Sequence, residues 1–163
     1  MIRLIAVLAV AALTTGCASS VNETTHPMKV ETAKPDGSLL AGAECRLTND
    51  YGPFSVRSGE TLQIRRSNKD LDIVCRHAEQ PDATGRAISR ANAGLAGNIL
   101  FGGGIGAIID HSKGTAYTYP TWVRLVFGRS LVFDRTDEKD GQVLLGKDAG
   151  PGGPGEQAGT GTK

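Results

Sequence analysis

The chain has 163 residues, with 18 Lys and Arg against 17 Asp and Glu, a formal charge of +1, and only 5% aromatic residues. That length holds one small domain with tails, the balanced charge excludes a global basic surface for nucleic acid or anionic lipid, and the scarce aromatics limit the core to modest aliphatic packing. Its 22 glycines point to a large irregular fraction.

The chain opens on Arg3, an unbroken Leu, Ile, Val and Ala run from Leu4 to Leu13, and the small residues Thr14-Thr15-Gly16 before Cys17. A charged start, short apolar core and small-residue exit describe a secretory signal peptide over residues 1–16, too short to span a membrane. Leu13-Thr14-Thr15-Gly16-Cys17 resembles the lipobox of bacterial lipoproteins, with the leucine one place further from the cysteine than usual. The resemblance implies that Cys17 is diacylated on sulfur, becomes the mature N-terminus after cleavage, and is then acylated on its amine. Ala18 follows it in place of Asp, which by the same resemblance implies sorting to the outer membrane, lipid-anchored on its periplasmic face. Two acyl chains already hold a protein on a membrane, so three require no hydrophobic help from the polypeptide. Losing Arg3 with the leader takes the formal charge from +1 to zero.

With Cys17 acylated, Cys45 and Cys75 remain. An exported protein enters an oxidising compartment, where two such cysteines read as a disulfide; no Cys-x-x-Cys or nearby His pair points to metal or redox chemistry.

Residues 17–27 are small and polar, a lipidated tether between anchor and domain. From Met28 the pattern is β. Met28, Val30 and Thr32 alternate with Lys29 and Glu31, and Lys34-Pro35-Asp36-Gly37 makes a turn. Ala43, Cys45 and Leu47 share one face of the next strand, and turns at 49–53 and 58–60 bracket a short Phe54-Ser55-Val56 strand. Leu62 and Ile64, then Leu71, Ile73 and Cys75, face inward on the two strands that follow, with Asp72 and Arg76 outward. Both cysteines therefore fall on apolar strand faces, where a buried bridge across a small sandwich is expected to stabilise the fold by roughly 3–4 kcal/mol through loop closure. Gly42-Ala43-x-Cys45 after Pro35, then Gly59, a Leu-x-Ile strand and Leu-x-Ile-x-Cys75, resemble PEGA-type β-domains of bacterial surface lipoproteins over roughly Val30 to His77. The resemblance implies a small sandwich of short strands.

Residues 78–84 read as a polar connector and 86–90 as a weak strand. Ala91 to Ile109 then run without a charge and include Gly94, Gly97, Gly102, Gly103, Gly104 and Gly106. This segment, through Asp110, Gly114 and Tyr117-x-Tyr119-Pro120, resembles one found in uncharacterised proteobacterial lipoproteins and implies no activity. It is expected to pack on the sandwich as a glycine-rich, short-helical insert. The alternative is a membrane element, since Gly102-x-x-x-Gly106 permits close helix packing and resembles the glycine zippers of small outer-membrane lipoproteins. After Pro120, Val123, Leu125 and Phe127 alternate as a strand, Gly128-Arg129 turns, and Leu131-Val132-Phe133 is expected to pair back as a hairpin. Residues 135–163 read as a disordered tail, half of 146–163 being Gly or Pro.

Motifs for chemistry are absent. Gly104-x-Gly106 lacks the third glycine of a dinucleotide fingerprint and no Walker lysine follows. Asp110-His111-Ser112 are adjacent in sequence and so cannot form a relay on a strand or helix. His26, His77 and His111 are not spaced as metal ligands. The expected fold is mainly β, a small disulfide-closed sandwich over residues 28–134 with the insert at 91–109. The expected function is a non-enzymatic structural or interaction role at the envelope, held by lipid, with an envelope protein as partner. No nucleic acid, small-molecule substrate, cofactor, metal or catalytic residue is expected. The alternative function is a glycine-zipper component that inserts or oligomerises in the outer membrane.

Overall fold

The computed structural model describes residues 24–91 and 116–150. The chain forms two facing sheets and a small ribbon. Its strands are β1 (Thr25–Ala33), β2 (Glu44–Asn49), β3 (Gly52–Arg57), β4 (Thr61–Arg65), β5 (Leu71–His77), β6 (Gln80–Ala87), β7 (Arg90–Ala91), β8 (Tyr117–Thr118), β9 (Trp122–Val126), β10 (Ser130–Phe133), β11 (Leu144–Leu145) and β12 (Lys147–Asp148). One sheet has the order β11-β9-β1-β4, the other β12-β10-β6-β5-β2-β3, and β7 pairs with β8 alone. The mainly β sandwich expected from the alternation is thus the fold.

Alternating residues place the core. Met28 and Val30 from β1, Ile64 from β4, Val123 and Leu125 from β9 meet Leu47, Leu71, Ile73 and Phe133 from the larger sheet. Tyr119, Phe127 and Phe133, all fully buried, are its largest side chains. Thr32 completes the inward face of β1 and is satisfied there. Its hydroxyl donates to the Leu40 carbonyl at 2.5 Å, and its N–H donates to Ser58 Oγ at 2.9 Å. Outward from the same strand, Glu31 lies between Lys29 Nζ and an Arg124 guanidinium nitrogen, each 2.9 Å away. Burial pushes the Glu31 carboxyl up, but the hydrogen bonds from Lys29 and Arg124 outweigh it and hold the group below its usual range.

Cys45 and Cys75 are bonded, with an S–S length of 2.03 Å. They do not bridge the two sheets. Cys45 sits directly opposite Cys75 in the antiparallel β2–β5 ladder, so the bond staples neighbouring strands within the larger sheet and presents both sulfurs to the core. The alternation placed both side chains inward correctly, but inward position alone does not say which sheet holds the partner.

Four further boundaries differ from the expectations. The tether ends sooner, because Thr25, His26 and Pro27 already pair with Arg65, Ile64 and Gln63 of β4. The polar connector at 78–84 is the turn into β6 and most of that strand; Ala83 and Gly85 face the core while Pro81, Asp82 and Thr84 mask the alternation. β9 and β10 do not form a hairpin. β9 runs parallel to β1 in one sheet, β10 runs parallel to β6 in the other, and Gly128, at φ +76°, turns the chain between layers. Residues 135–150 are not a disordered tail. After a single 3-10 turn at Arg135–Asp137, β11 adds to β9 with Leu144 buried, and β12 adds to β10. Residues 92–115, which include all of the 91–109 insert except Ala91, and the chain beyond 150 lie outside the described residues.

Gly146, between β11 and β12, lets the chain cross from one sheet to the other. A Cβ there would stand 2.8 Å from Leu131 Cβ and 2.8 Å from Phe133 Cε1. Gly146→Ala should therefore destabilise the domain by about 1–3 kcal/mol through overpacking, read as a lowered midpoint in urea; an unchanged midpoint would mean this part of the chain is not packed. Removing the staple in a Cys45→Ala, Cys75→Ala double variant should lower stability by roughly 3 kcal/mol, less if the alanines repack, because the closed loop of 30 residues' separation is released in the unfolded chain.

Candidate functional site

Two places concentrate polar groups on rigid elements. The first is a cleft of about 710 Å³ on the outer face of the larger sheet, over β5, β2 and β3. The strand period puts it there. In β2, Cys45 and Leu47 point inward, so Glu44 and Arg46 point out. The register sets Arg57 and Arg76 on the two sides of Glu44, and Ser55 and Val74 on the two sides of Arg46. Arg46, Arg57 and Arg76 supply three guanidiniums, Glu44 and Glu60 two carboxylates, and Val74 part of an apolar floor. Arg76 Nε is paired with Asp82 Oδ2 at 3.0 Å. Arg46 and Arg57 make no ion pair among the described residues. Guanidinium forks of this kind accept carboxylates or phosphates in bidentate fashion, and the intervening carboxylates favour a ligand of mixed charge. Ser55 has no histidine or carboxylate hydrogen-bonded to it among the described residues.

The second place is the stem of the glycine-rich segment. Arg90 pairs with Thr118 and Ala91 with Tyr117, so the residues on either side of 92–115 lie side by side. This ribbon is bound to the start of β1, where His26 Nδ1 and Thr118 Oγ1 share a hydrogen bond of 3.0 Å. Tyr119 anchors it further. Its hydroxyl donates to the Lys69 carbonyl at 2.7 Å and accepts from Asn49 Nδ2 at 3.2 Å, and burial pushes the phenol up to about 12. Ser89 Oγ donates to the Ser67 carbonyl at 2.6 Å while its N–H donates to Asp70 at 2.9 Å. Arg90 also pairs with Asp134, and that guanidinium holds the Asp134 carboxyl far below its usual range.

His26 is 5% exposed and its Nε2 has no hydrogen-bond partner among the described residues. Burial, followed by the charges of Arg66 and Arg135, lowers the imidazole to about 4 against the weaker opposing effects of Glu138 and the Pro120 carbonyl. Read as part of the tether, this residue had no periodic context to mark it as buried; only its pairing with β4 does so. The cleft residues were equally hidden, since their convergence depends on the strand order β5-β2-β3. Knowing that order, the outward positions of the three strands would have named them.

Of the residues singled out from sequence, Cys45 and Cys75 are brought together, whereas Cys17 and Asp110-His111-Ser112 lie outside the described residues. His26 and His77 lie near opposite ends of the sandwich, at the start of β1 and the end of β5. Among the described residues no three His, Cys, Asp or Glu side chains are grouped to hold a metal ion, and no helix is long and apolar enough to cross a membrane. Comparison with protein families, with characterised proteins and with solved structures finds no match.

The buried imidazole gives a pH dependence. Unfolded His26 takes up a proton near pH 6.5 and the folded residue only near 4. The unfolded chain therefore binds more protons in that window, so stability is greatest above it and falls as pH drops from 6.5 towards 4. Comparing urea midpoints at pH 7 and pH 5 for the natural chain and His26→Gln should show the loss on acidification shrinking in the variant. An equal loss in both would place the sensitive group elsewhere.

Proposed function

We propose that this chain is a lipid-anchored protein of the bacterial cell envelope, held on the periplasmic face of the outer membrane, whose β-sandwich has a non-enzymatic structural or interaction role. The observation that carries the proposal is the run from Arg3 through the apolar residues to Leu13-Thr14-Thr15-Gly16-Cys17. The Cys45–Cys75 disulfide supports it, because such bonds persist where export delivers a protein and are rare in reducing compartments. Ala18 supports the outer membrane as the destination. The PEGA-like spacing of Gly42-Ala43-x-Cys45 and Leu71-x-Ile73-x-Cys75 supports a non-enzymatic module. The cleft supports the interaction role: Arg46 and Arg57 stand with Glu44 and Glu60 beside apolar surface, a setting suited to an envelope protein presenting groups of both charges.

A second reading, a glycine-zipper component that inserts or oligomerises, is favoured by one observation. Ala91 and Tyr117, which flank the uncharged glycine-rich segment in sequence, are paired side by side in a two-stranded stem.

The test is Cys17→Ser in cells fed a fatty-acid analogue. Acyl labelling should disappear, and the protein should leave the outer-membrane fraction or remain uncleaved. Labelling and fractionation unchanged from the natural chain would overturn the lipid anchor.

A further inference from the structure

We propose that the sandwich stands on the lipid bilayer by one defined end, the end built from the β2–β3 turn, the β4–β5 turn and the β7–β8 stem, with the opposite end and the cleft directed away from the membrane. The proposal rests on the lipid anchor at Cys17 and goes beyond it by fixing the orientation of the domain.

Strand direction carries the argument. β1 begins at Thr25, opposite Arg65, the last residue of β4. β2 ends at Asn49 and β3 begins at Gly52, at this same end, because Asn49 Nδ2 donates to the Arg65 carbonyl at 2.9 Å. β6 runs out to the stem here as well, and His26 with Thr118 ties the stem to the start of β1. The tether and both ends of the insert therefore leave from one end. Gly150 leaves from the other, where the Ala149 N–H donates to the Ser130 carbonyl at 2.9 Å.

Chain length excludes the reverse arrangement. Between Cys17 and Thr24 lie seven peptide steps, which reach at most about 25 Å fully extended. The nine residues of β1 alone span about 30 Å. An anchor leaving at Thr24 cannot pass along the sandwich and set the far end on the same bilayer. Arg66 strengthens the restriction by fixing the exit: its N–H donates to the Thr24 carbonyl at 2.9 Å and its Nε to the Thr25 carbonyl at 3.1 Å.

The surface chemistry of that end fits a headgroup layer. Tyr51, 40% exposed in the β2–β3 turn, has the Arg65 guanidinium 4.2 Å from its ring centroid. An amphipathic ring beside a cation is the pairing that settles at the membrane–water boundary. The far end has its own apolar group, Leu39, 60% exposed. It is the feature that would face lipid if the orientation were reversed.

The test uses the full lipidated chain on vesicles whose headgroups carry a nitroxide quencher. A fluorophore is placed on Asn68→Cys, in the β4–β5 turn, or on Leu39→Cys; both positions are exposed, and without reductant the native disulfide stays closed. The label at 68 should be quenched several-fold more than the label at 39. Equal quenching, or stronger quenching at 39, overturns the orientation while leaving the anchor intact. A chain that does not co-float with the vesicles, and whose Cys17 carries no acyl group, overturns the anchor and the orientation together. A third label, Glu79→Cys in the β5–β6 turn, should match the weak quenching at 39 and guards against a local effect of replacing Leu39.

Discussion

Strand β1 has a ladder partner on each side, β4 antiparallel and β9 parallel, and the smaller sheet exists only because those two ladders share it. The strand also joins distant parts of the chain through its side chains. At its start His26 holds the stem, in its middle Glu31 gathers Lys29 and Arg124, and near its end Thr32 takes up Ser58 and the Leu40 carbonyl. The parallel pairing with β9 joins residues nearly a hundred positions apart. Strands β2 to β8 lie between the two partners in the chain, so this is a non-local closure, which tends to slow folding. In such a fold the β2–β5 staple shortens the part of the search that precedes it.

Surface charge contributes unevenly here. Arg129–Asp148 and Lys147–Asp137 are exposed pairs whose worth is small and salt-sensitive. Glu31 differs because its side chain is only 11% exposed and both of its oxygens have cationic partners. Replacing either cation would strand part of a shielded carboxylate, whereas the exposed pairs can be lost into water. Trp122 borders this cluster, with Lys29 Nζ 4.4 Å from its ring centroid, so the only tryptophan of the chain is fixed by the same charges.

Legibility of the sequence followed period length. β2, β4 and β5 carry five to seven residues of uninterrupted alternation, and their inward faces were readable from Cys45, Leu47, Ile64, Leu71 and Ile73 alone. β11 and β12 have two residues each, too few to show any period, and their neighbours Gly141, Gly146 and Gly150 give the composition of an unfolded tail. Leu144 is ordered by the groove beside Val123, a tertiary fact that no local window contains. The same limit explains β9 and β10: Gly128-Arg129 reads as a hairpin turn, and only the competing ladders with β1 and β6 send the strands to different layers. At the candidate sites, the cysteine pair was legible by chemistry. The arginine cleft was not, since it needs β5 beside the β2–β3 hairpin, a pairing that sequence order does not give.

The β7–β8 ribbon holds together the two points of the chain, Ala91 and Tyr117, that flank the glycine-rich segment. Because Arg90 and Ala91 already lie beside Thr118 and Tyr117, the entropy of closing that segment is met by those few backbone bonds and by Tyr119 beneath them. Closure entropy grows only logarithmically, about 0.6 kcal/mol for each doubling of loop length. A change in the number of residues between Ala91 and Tyr117 should therefore cost the fold little through closure entropy alone. The position behaves as a mounting point, where a new segment can be tried on an unchanged frame.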